Sequence, residues 1–242
     1  MRLAQITDLH LPFVEAGLAE AEEDNKKDYR LLGKTLSKIK SLRADICVVS
    51  GDLLNIRWEQ SKQQLPQGRI RQSYETVKRI LDEAGMPYLV LPGNHDHEEY
   101  FRQVFDPSSQ RTAVRGYELV CFFDAEDKHH VPHRRGRELS RFKKLLSLHA
   151  GLPQIHLQHF LLTDPPQDDY PYSYAHRARL RRRINKSGRV VLCISGHYHK
   201  GTPLIKDKGS YYSTGPAFCQ PERSFRVYEI QHMNVTCRDY YL

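Results

Sequence analysis

Several short apolar runs along this chain end abruptly in acidic, amide or imidazole side chains. The run that closes at Leu91 stops at Pro92 and continues directly into Asn94, His95 and Asp96. Four further runs end in the same way, within residues 3–10, 44–52, 154–159 and 189–199. Apolar runs of this length and continuity predict strands of a parallel sheet that is covered on both faces.

Between these runs, apolar residues recur at the three- and four-residue spacing of amphipathic helices. The pattern predicts helices near residues 24–42, 70–84, 98–105, 139–149 and 177–183. It also predicts a strand over 117–124 and a closing hairpin that turns at residues 232–234. The segments 15–28 and 163–174 are predicted to be loops, because the first is acidic and then basic and the second is rich in Pro and Asp. Alternating strands and helices indicate an α/β fold.

The carboxyl ends of parallel strands meet at one edge of a sheet, which is where α/β proteins bind ligands. The side chains expected there are carboxylate, amide and imidazole groups, without a thiolate. Such a mixed oxygen and nitrogen set favours a pair of divalent ions (Mn, Fe or Zn) over a structural zinc site. The candidate metal ligands are Asp8, His10, Asp52, Asn94, His159, His197 and His199.

Length and composition are those of an ordinary soluble protein. A chain of 242 residues predicts a single domain over residues 1–242. With 39% hydrophobic residues and no apolar run near the ~18 residues that a membrane helix needs, no membrane partner is expected. The chain opens on a strand and not on the apolar region of a signal peptide, which predicts a cytoplasmic location. The five cysteines lack Cys-x-x-Cys spacing and are interpreted as buried free thiols.

A formal charge of +8 together with 13 histidines indicates an anionic partner. Net charge does not distinguish between phosphate, a nucleotide and nucleic acid as that partner. The arginine run at 177–183 and the histidine-containing loop at 128–136 add basic surface. The arginine run is interpreted first as a solvated helix face and second as a phosphate site, and the loop as solvated or phosphate-facing.

Five segments resemble the signature blocks of the calcineurin-like metallophosphoesterases: Asp8-Leu9-His10, Gly51-Asp52, Gly93-Asn94-His95-Asp96, His159 and Gly196-His197-Tyr198-His199. Within that superfamily, the chain length and the closing segments are most similar to the cyclic-nucleotide phosphodiesterase (class III) branch. The resemblance implies a four-layer αββα sandwich, in which two mixed β-sheets are flanked by helices.

The resemblance also implies how two metal ions are held. One ion would be bound by Asp8, His10, Asp52 and His199, and the other by Asp52, Asn94, His159 and His197. Asp52 would bridge the ions, in keeping with a carboxylate's capacity to bind two cations about 3.5–4 Å apart. A hydroxide that bridges the ions would attack the phosphorus of a phosphodiester, with phosphomonoesters as a further substrate type.

His95 is the candidate catalytic residue, because it follows Asn94 without being a ligand itself. It would stabilise the phosphoryl oxygens or protonate the leaving group. Asp96 is interpreted as the cap of the following helix and not as a group that orients His95. Two departures from the family pattern bear on specificity: Asn55 stands where many relatives have a second acid, and Phe160 where close phosphodiesterase relatives often carry a histidine.

The expected partner is a nucleotide-like phosphoester, and nucleic acid is the alternative. Residues 164–174 are predicted to form the substrate rim, through Asp169, Tyr170 and Tyr172. Tyr170, Tyr172 and Tyr174 are also candidates for stacking on a base, which suits a nuclease or a nucleic-acid end-processing phosphatase. A non-catalytic scaffold is disfavoured because every ligand position is filled. The sequence leaves the oligomeric state open, a dimer included.

Overall fold

The computed structural model describes residues 1–12, 19–56, 67–105, 111–147, 150–164 and 173–242, with the side chains of 19–26 and 67 left out. Five helices lie within these ranges: α1 Ala19–Ser41, α2 Gln67–Glu83, α3 Glu98–Val104, α4 Gly136–Leu146 and α5 Arg177–Ser187. None of them is both long enough and apolar enough to cross a membrane.

Thirteen strands lie in the same described ranges. Those of the first sheet are β1 Arg2–Ile6, β2 Ile46–Ser50, β3 Tyr88–Leu91, β12 Phe225–Gln231 and β13 Asn234–Tyr240. Those of the second sheet are β4 Arg111–Val114, β5 Tyr117–Cys121, β8 Gln154–Leu157, β9 Val190–Ser195, β10 Ile205–Asp207 and β11 Ser210–Thr214. The remaining two, β6 Ala125–Glu126 and β7 Pro132–His133, form a small hairpin.

The strand order is β13-β12-β1-β2-β3 in the first sheet and β10-β11-β9-β8-β5-β4 in the second. Alternate residues of each strand face opposite sides, so each sheet buries two faces. In β2, Ile46 and Val48 belong to the apolar cluster between the sheets, whereas Cys47 and Val49 pack with α1, α2 and α3. On the outer face of the second sheet, Val120 and Phe122 pack with α4 and α5. These layers confirm the predicted αββα sandwich.

The strands predicted to carry ligands are parallel where they neighbour one another. β1 pairs with β2 and β2 with β3 in the first sheet, while β5 pairs with β8 and β8 with β9 in the second. Their carboxyl ends therefore lie along one edge of each sheet. The closing hairpin of β12 and β13 is also present, and its turn at residues 232–233 falls within the predicted 232–234.

The structure corrects the predicted start of the first helix. Residues 15–28 were expected to form a loop, yet α1 begins at Ala19. The segment is rich in Ala, Glu and Lys, which have high helix propensity, but its apolar residues lack a helical period. Strands β4, β6, β7 and β10 were not predicted, because they are two to four residues long and largely without apolar alternation.

Candidate metal centre

Four of the predicted ligands adopt left-handed backbone conformations at the ends of their strands. The φ angles are 52° for Asp8, 45° for His10, 53° for Asp52 and 69° for His197. Non-glycine residues rarely adopt such angles, and those that do cluster at functional sites. The chain therefore turns sharply just beyond each strand, at the residues that carry the donor groups.

Two glycines allow the loops to approach each other. A Cβ atom on Gly93 would overlap the Oδ1 atom of Asp52, and one on Gly196 would overlap the Oγ1 atom of Thr7. Because any larger residue would push these loops apart, the Gly-Asn-His-Asp and Gly-His-Tyr-His motifs need glycine at their first positions.

One group of donors surrounds the side chain of His159. Its Nδ1 atom donates to the carbonyl oxygen of Ser50 at 2.9 Å, which leaves Nε2 as the coordinating nitrogen. That Nε2 lies 3.1 Å from Oδ1 of Asn94 and 3.3 Å from Oδ2 of Asp52. The ring of His197 lies 5.0 Å from the ring of His159, and ligand atoms of His197, His159 and Asp52 lie within 4.8 Å of one another.

A second group of donors surrounds His10. Its Nε2 atom lies 3.1 Å from Nε2 of His199 and 3.5 Å from Oδ2 of Asp52. The Nε2 atom of His199 also lies 3.8 Å from Oδ1 of Asp8. Oδ2 of Asp52 thus lies between an imidazole of each group, which is the position that the predicted bridging role requires.

The donors in these groups suit cations. In a neutral His159, the lone pair of Nε2 would face lone pairs on the side-chain oxygens of Asn94 and Asp52. These lone pairs repel one another unless a cation lies between them. Burial opposes charge on Asp52 and His159, but their mutual attraction outweighs it, so the pKa of Asp52 is lowered and the pKa of His159 is raised to about 10. A proton on His159 thus occupies the place of a cation in the metal-free protein.

The two imidazoles on either side of this pair stay neutral. Burial lowers the pKa of His10, and burial together with the charge of His159 lowers the pKa of His197 to about 3. A neutral imidazole is the form that binds a metal ion. The donor set therefore fits two divalent ions, and the assignment of each ligand to one ion stays a prediction.

His95 lies beside the donors, as the sequence predicted. Its backbone N–H donates to Oδ1 of Asp52 at 2.8 Å, and its ring meets the ring of His10 edge-on with centroids 4.8 Å apart. Its Nδ1 atom is buried and has no hydrogen-bond partner among the described residues. A nitrogen atom of His95 lies within 4.8 Å of ligand atoms of His10 and Asp52, so His95 is near enough to act on a group bound there.

Asp96 does not cap helix α3, which corrects the prediction. The N-cap residue is His97, and the Asp96 carboxylate instead accepts hydrogen bonds from the backbone N–H groups of Leu53, Leu54 and Gly93 and from the Tyr74 hydroxyl. It therefore fastens the loop after β2 to the loop after β3.

Asn55, which replaces a possible second acid, is exposed and forms a backbone hydrogen bond to Leu11. Within the described residues, its side chain forms no hydrogen bond with His95. Position 55 therefore does not provide an acid that pairs with the His95 imidazole.

Phe160 lies against both imidazoles of the His159 group. Its ring centroid is 5.1 Å from those of His159 and His197 and 5.9 Å from that of Tyr174. Tyr174 is 1% exposed, and its hydroxyl binds Asp124 and Arg134. Tyr174 is thus a core residue, and the prediction that it stacks on a base is wrong.

The predicted substrate rim lies mostly outside the described residues. Asp169, Tyr170 and Tyr172 all fall there, so their roles stay predictions. Of the described ends of this segment, Asp164 forms ion pairs with Arg177 and Arg181, while Ser173 and Tyr174 are buried. The ends of the predicted loop are therefore held against the domain.

Two groups near the centre were missed by sequence reasoning. The Sγ atom of Cys219 lies 3.9 Å from Nδ1 of His199, and the backbone N–H of Cys219 donates to Asp8. Burial raises the pKa of this thiol to about 11. All five cysteines are free, but Cys219 and Cys237 are only partly buried, which corrects the prediction for those two. No motif marks Cys219, because it reaches the centre only through the pairing of distant segments.

The other missed group is Glu126 on the β6–β7 hairpin, which binds Nδ1 of His130 at 3.1 Å. Burial raises the pKa of Glu126, and the charge of His159 opposes that rise. The loop predicted to be solvated or phosphate-facing thus holds an acid–imidazole pair.

Gln5 on β1 connects the two halves of the centre. Its Nε2 atom donates to the hydroxyl of Ser50 and to the carbonyl oxygen of Ser195, each at 2.7 Å. Ser50 precedes the loop that carries Asp52, and Ser195 precedes the loop that carries His197. A single buried amide therefore fixes the spacing between the two sheets at their ligand-bearing edge.

We expect Gln5→Met to destabilise the protein by about 1–3 kcal/mol, because the buried Ser50 hydroxyl loses its amide partner. Urea unfolding measures the free energy. Gln103→Met, on the exposed face of α3, is the matched control and should change it by less than about 0.5 kcal/mol. Equal effects of the two substitutions would show that Gln5 does not hold the sheets together.

The fold and these side chains define a class of protein: an αββα sandwich that gathers carboxylate, amide and imidazole donors for divalent cations. A family model described as calcineurin-like phosphoesterase matches residues 1–201. The chain therefore belongs to the calcineurin-like phosphoesterase family, as the sequence motifs predicted. The family implies a binuclear divalent metal site, and the described Asp and His groups could hold metal ions.

Individual relatives are more distant. A probable cyclic nucleotide phosphodiesterase of Ruthia magnifica subsp. Calyptogena magnifica is 24% identical over 205 residues, which cover 84% of this chain and 80% of the relative. A dimetal phosphatase from Danio rerio superposes with a TM-score of 0.72 at 14% identity, covering 98% of this chain and 95% of its own. Protein TT1561 of Thermus thermophilus gives 0.61 at 13% identity, covering 98% of each chain. At these identities the two structures support the fold alone.

Proposed function

We propose that this protein is a metal-dependent phosphodiesterase that acts on a small nucleotide-like substrate, with phosphomonoesters as a further substrate type. The observation that carries the proposal is the position of Asp52, whose carboxylate lies 3.5 Å from His10 and 3.3 Å from His159. One carboxylate shared between two donor groups is the arrangement needed for a pair of ions.

When bound, a pair of divalent ions makes water more acidic and offsets charge on phosphoryl oxygens. The chain's own residues supply orientation. The Ser50 carbonyl holds the His159 tautomer, and the His95 N–H holds the Asp52 carboxylate. The His95 ring, fixed against His10, is placed to donate a proton to a phosphoryl or leaving-group oxygen.

The space beside the centre supports an ester with an organic group. A cleft of about 560 Å³ includes Asn94 of the donor set, and its other lining residues are Ile56, Asp96, His97, Glu98, Glu99 and Arg102. That volume lies within the ~300–1,000 Å³ range of small-molecule sites. The printed name of the Ruthia magnifica relative is consistent with a nucleotide substrate. Manganese, iron or zinc as the native metals and a cytoplasmic location stay predictions.

The nucleic-acid alternative gains less support. Arg134 has a wholly buried side chain, and Arg177 and Arg181 are paired with acidic residues. Fewer basic groups are therefore available to a polymer than the sequence indicated. The scaffold alternative is disfavoured by the complete donor set.

The proposal is tested by assaying the Mn²⁺-loaded protein on cyclic nucleotides, a chromogenic diester, a monoester and single-stranded DNA. We expect turnover of the small diesters with weak dependence on salt. Polymer cleavage whose substrate affinity falls steeply with salt would favour the nuclease, because each neutralised phosphate releases counterions. Absence of hydrolysis with manganese, iron and zinc alike would overturn the proposal.

A further inference from the structure

A small cavity lies outside the metal centre, between helix α4, helix α5 and the β6–β7 hairpin. Its volume is about 70 Å³. The basic residues around it come from three segments, and no carboxylate lines it within the described part of the chain. They are His133, Arg134, Lys143, His176, Arg179 and Arg183.

Arg134 supplies the inner wall of the cavity, and its side chain is 0% exposed. Its Nε and Nη2 atoms bind Asp124, and its guanidinium lies 3.8 Å from the centre of the Phe122 ring. Its Nη1 atom is buried and has no hydrogen-bond partner among the described residues. A buried donor without an acceptor is uncommon in folded proteins, which points to a ligand that supplies one.

Among the outer basic residues, His133 pairs with Asp127, whereas the cavity-lining arginines of helix α5 differ from the paired arginines of the same helix. Arg177 and Arg181 form ion pairs with Asp164, and Arg181 also pairs with Asp207. Arg179 and Arg183, the two charged residues of this helix that line the cavity, are four residues apart and exposed. Across the described ranges they form no ion pair.

Lys143 of α4 approaches the same cavity and likewise has no ion pair with any described residue. Like charges four residues apart destabilise a helix, and a third cation opposite them adds to the repulsion. An anion between the helices would offset all three charges while it accepts from the buried Nη1 of Arg134.

We propose that this cavity binds a small oxyanion, namely phosphate or the phosphate group of a small metabolite. The surrounding ammonium and guanidinium groups match the charge of phosphate, and the Nη1 atom of Arg134 offers one donor to a phosphate oxygen. The small volume and the buried position of Arg134 fit a single tetrahedral group and not a polymer backbone.

The site is distinct from the proposed active site but is packed against it. Tyr174 lines the cavity and contacts Phe160, whose ring contacts the imidazoles of His159 and His197. Two buried aromatic rings therefore connect the anion site with the ligands of one metal ion.

Calorimetric titration of the full-length, Mn²⁺-loaded chain with orthophosphate tests the site, with adenosine monophosphate as a second probe. We expect two sites in the wild type, one at the metals and one in the cavity. The double variant Arg179→Gln, Arg183→Gln should weaken one of them at least about tenfold, since it removes two charged donors. The control Arg182→Gln, Lys186→Gln removes the same charge from exposed α5 positions that do not line the cavity and should keep both sites.

Binding of either orthophosphate or adenosine monophosphate in the cavity supports the proposal, because both present a phosphate group. A single site in the wild type, or equal loss in both double variants, would overturn it. So would an oligonucleotide that binds with the same dependence on Arg179 and Arg183 while orthophosphate does not. The titration needs no turnover, so its result is independent of whether the proposed hydrolysis is observed.

Discussion

Substituting Asp52→Asn is expected to lower kcat/KM at least about 10³-fold and to remove bound metal at the same time. The side chain is 1% exposed and its Oδ2 atom lies between His10 and His159, so both donor groups depend on it. An amide of the same size can still accept from the His95 N–H, which preserves the loop. It lacks the negative charge that a bridging ligand supplies to two cations.

Metal content by mass spectrometry and kcat/KM on a chromogenic diester measure the two effects together. The control is Asp82→Asn, which removes an exposed carboxylate paired with Lys78 on α2 and should leave both quantities unchanged. If Asp52→Asn kept two metal ions per chain, the shared role of this carboxylate would be wrong.

For His95→Ala we expect a different result: the metal ions stay bound, whereas kcat falls about 10²–10⁴-fold. Alanine keeps the backbone N–H that holds Asp52, so the ligand geometry is retained. What is lost is the imidazole beside His10, and with it the proton donor for the phosphoryl or leaving-group oxygen.

The measurements are again metal content and kcat, now with substrates whose leaving groups differ in pKa. If His95 protonates the leaving group, the loss should be smallest for the most acidic leaving group. An exposed histidine far along the chain, changed as His232→Asn, controls for the loss of an imidazole. Loss of metal from His95→Ala would instead make His95 a ligand, consistent with its closeness to His10 and Asp52.

The gathering of the ligands was predictable because it follows from local pattern, whereas the four layers were implied by the resemblance of the motifs to a known family. β2 and β9 are continuous buried runs, and each delivers its motif directly after its last residue. Parallel strands must then place those motifs along a shared edge. The assignment of individual residues to individual ions stays a prediction, because geometry without ions does not divide the donors uniquely.

Contacts between distant loops could not be predicted from the pattern of residues along the chain. Asp96 looks like a helix cap in the sequence because it precedes α3, but its carboxylate binds the loop 43 residues earlier. Cys219 meets His199 only because the segment after β11 folds back on the end of β1. The start of α1 was missed for another reason, since its helix-forming residues carry no apolar period.

The left-handed positions at Asp8, His10, Asp52 and His197 have a consequence for how this protein can change over time. Glycine would relax the backbone at each position but would delete a donor, so selection for a sturdier fold and selection for activity act there in opposite directions. Descendants that no longer need the reaction are free to relax these turns first. Relaxed turns would then record the loss of activity in a lineage before any large rearrangement of its fold.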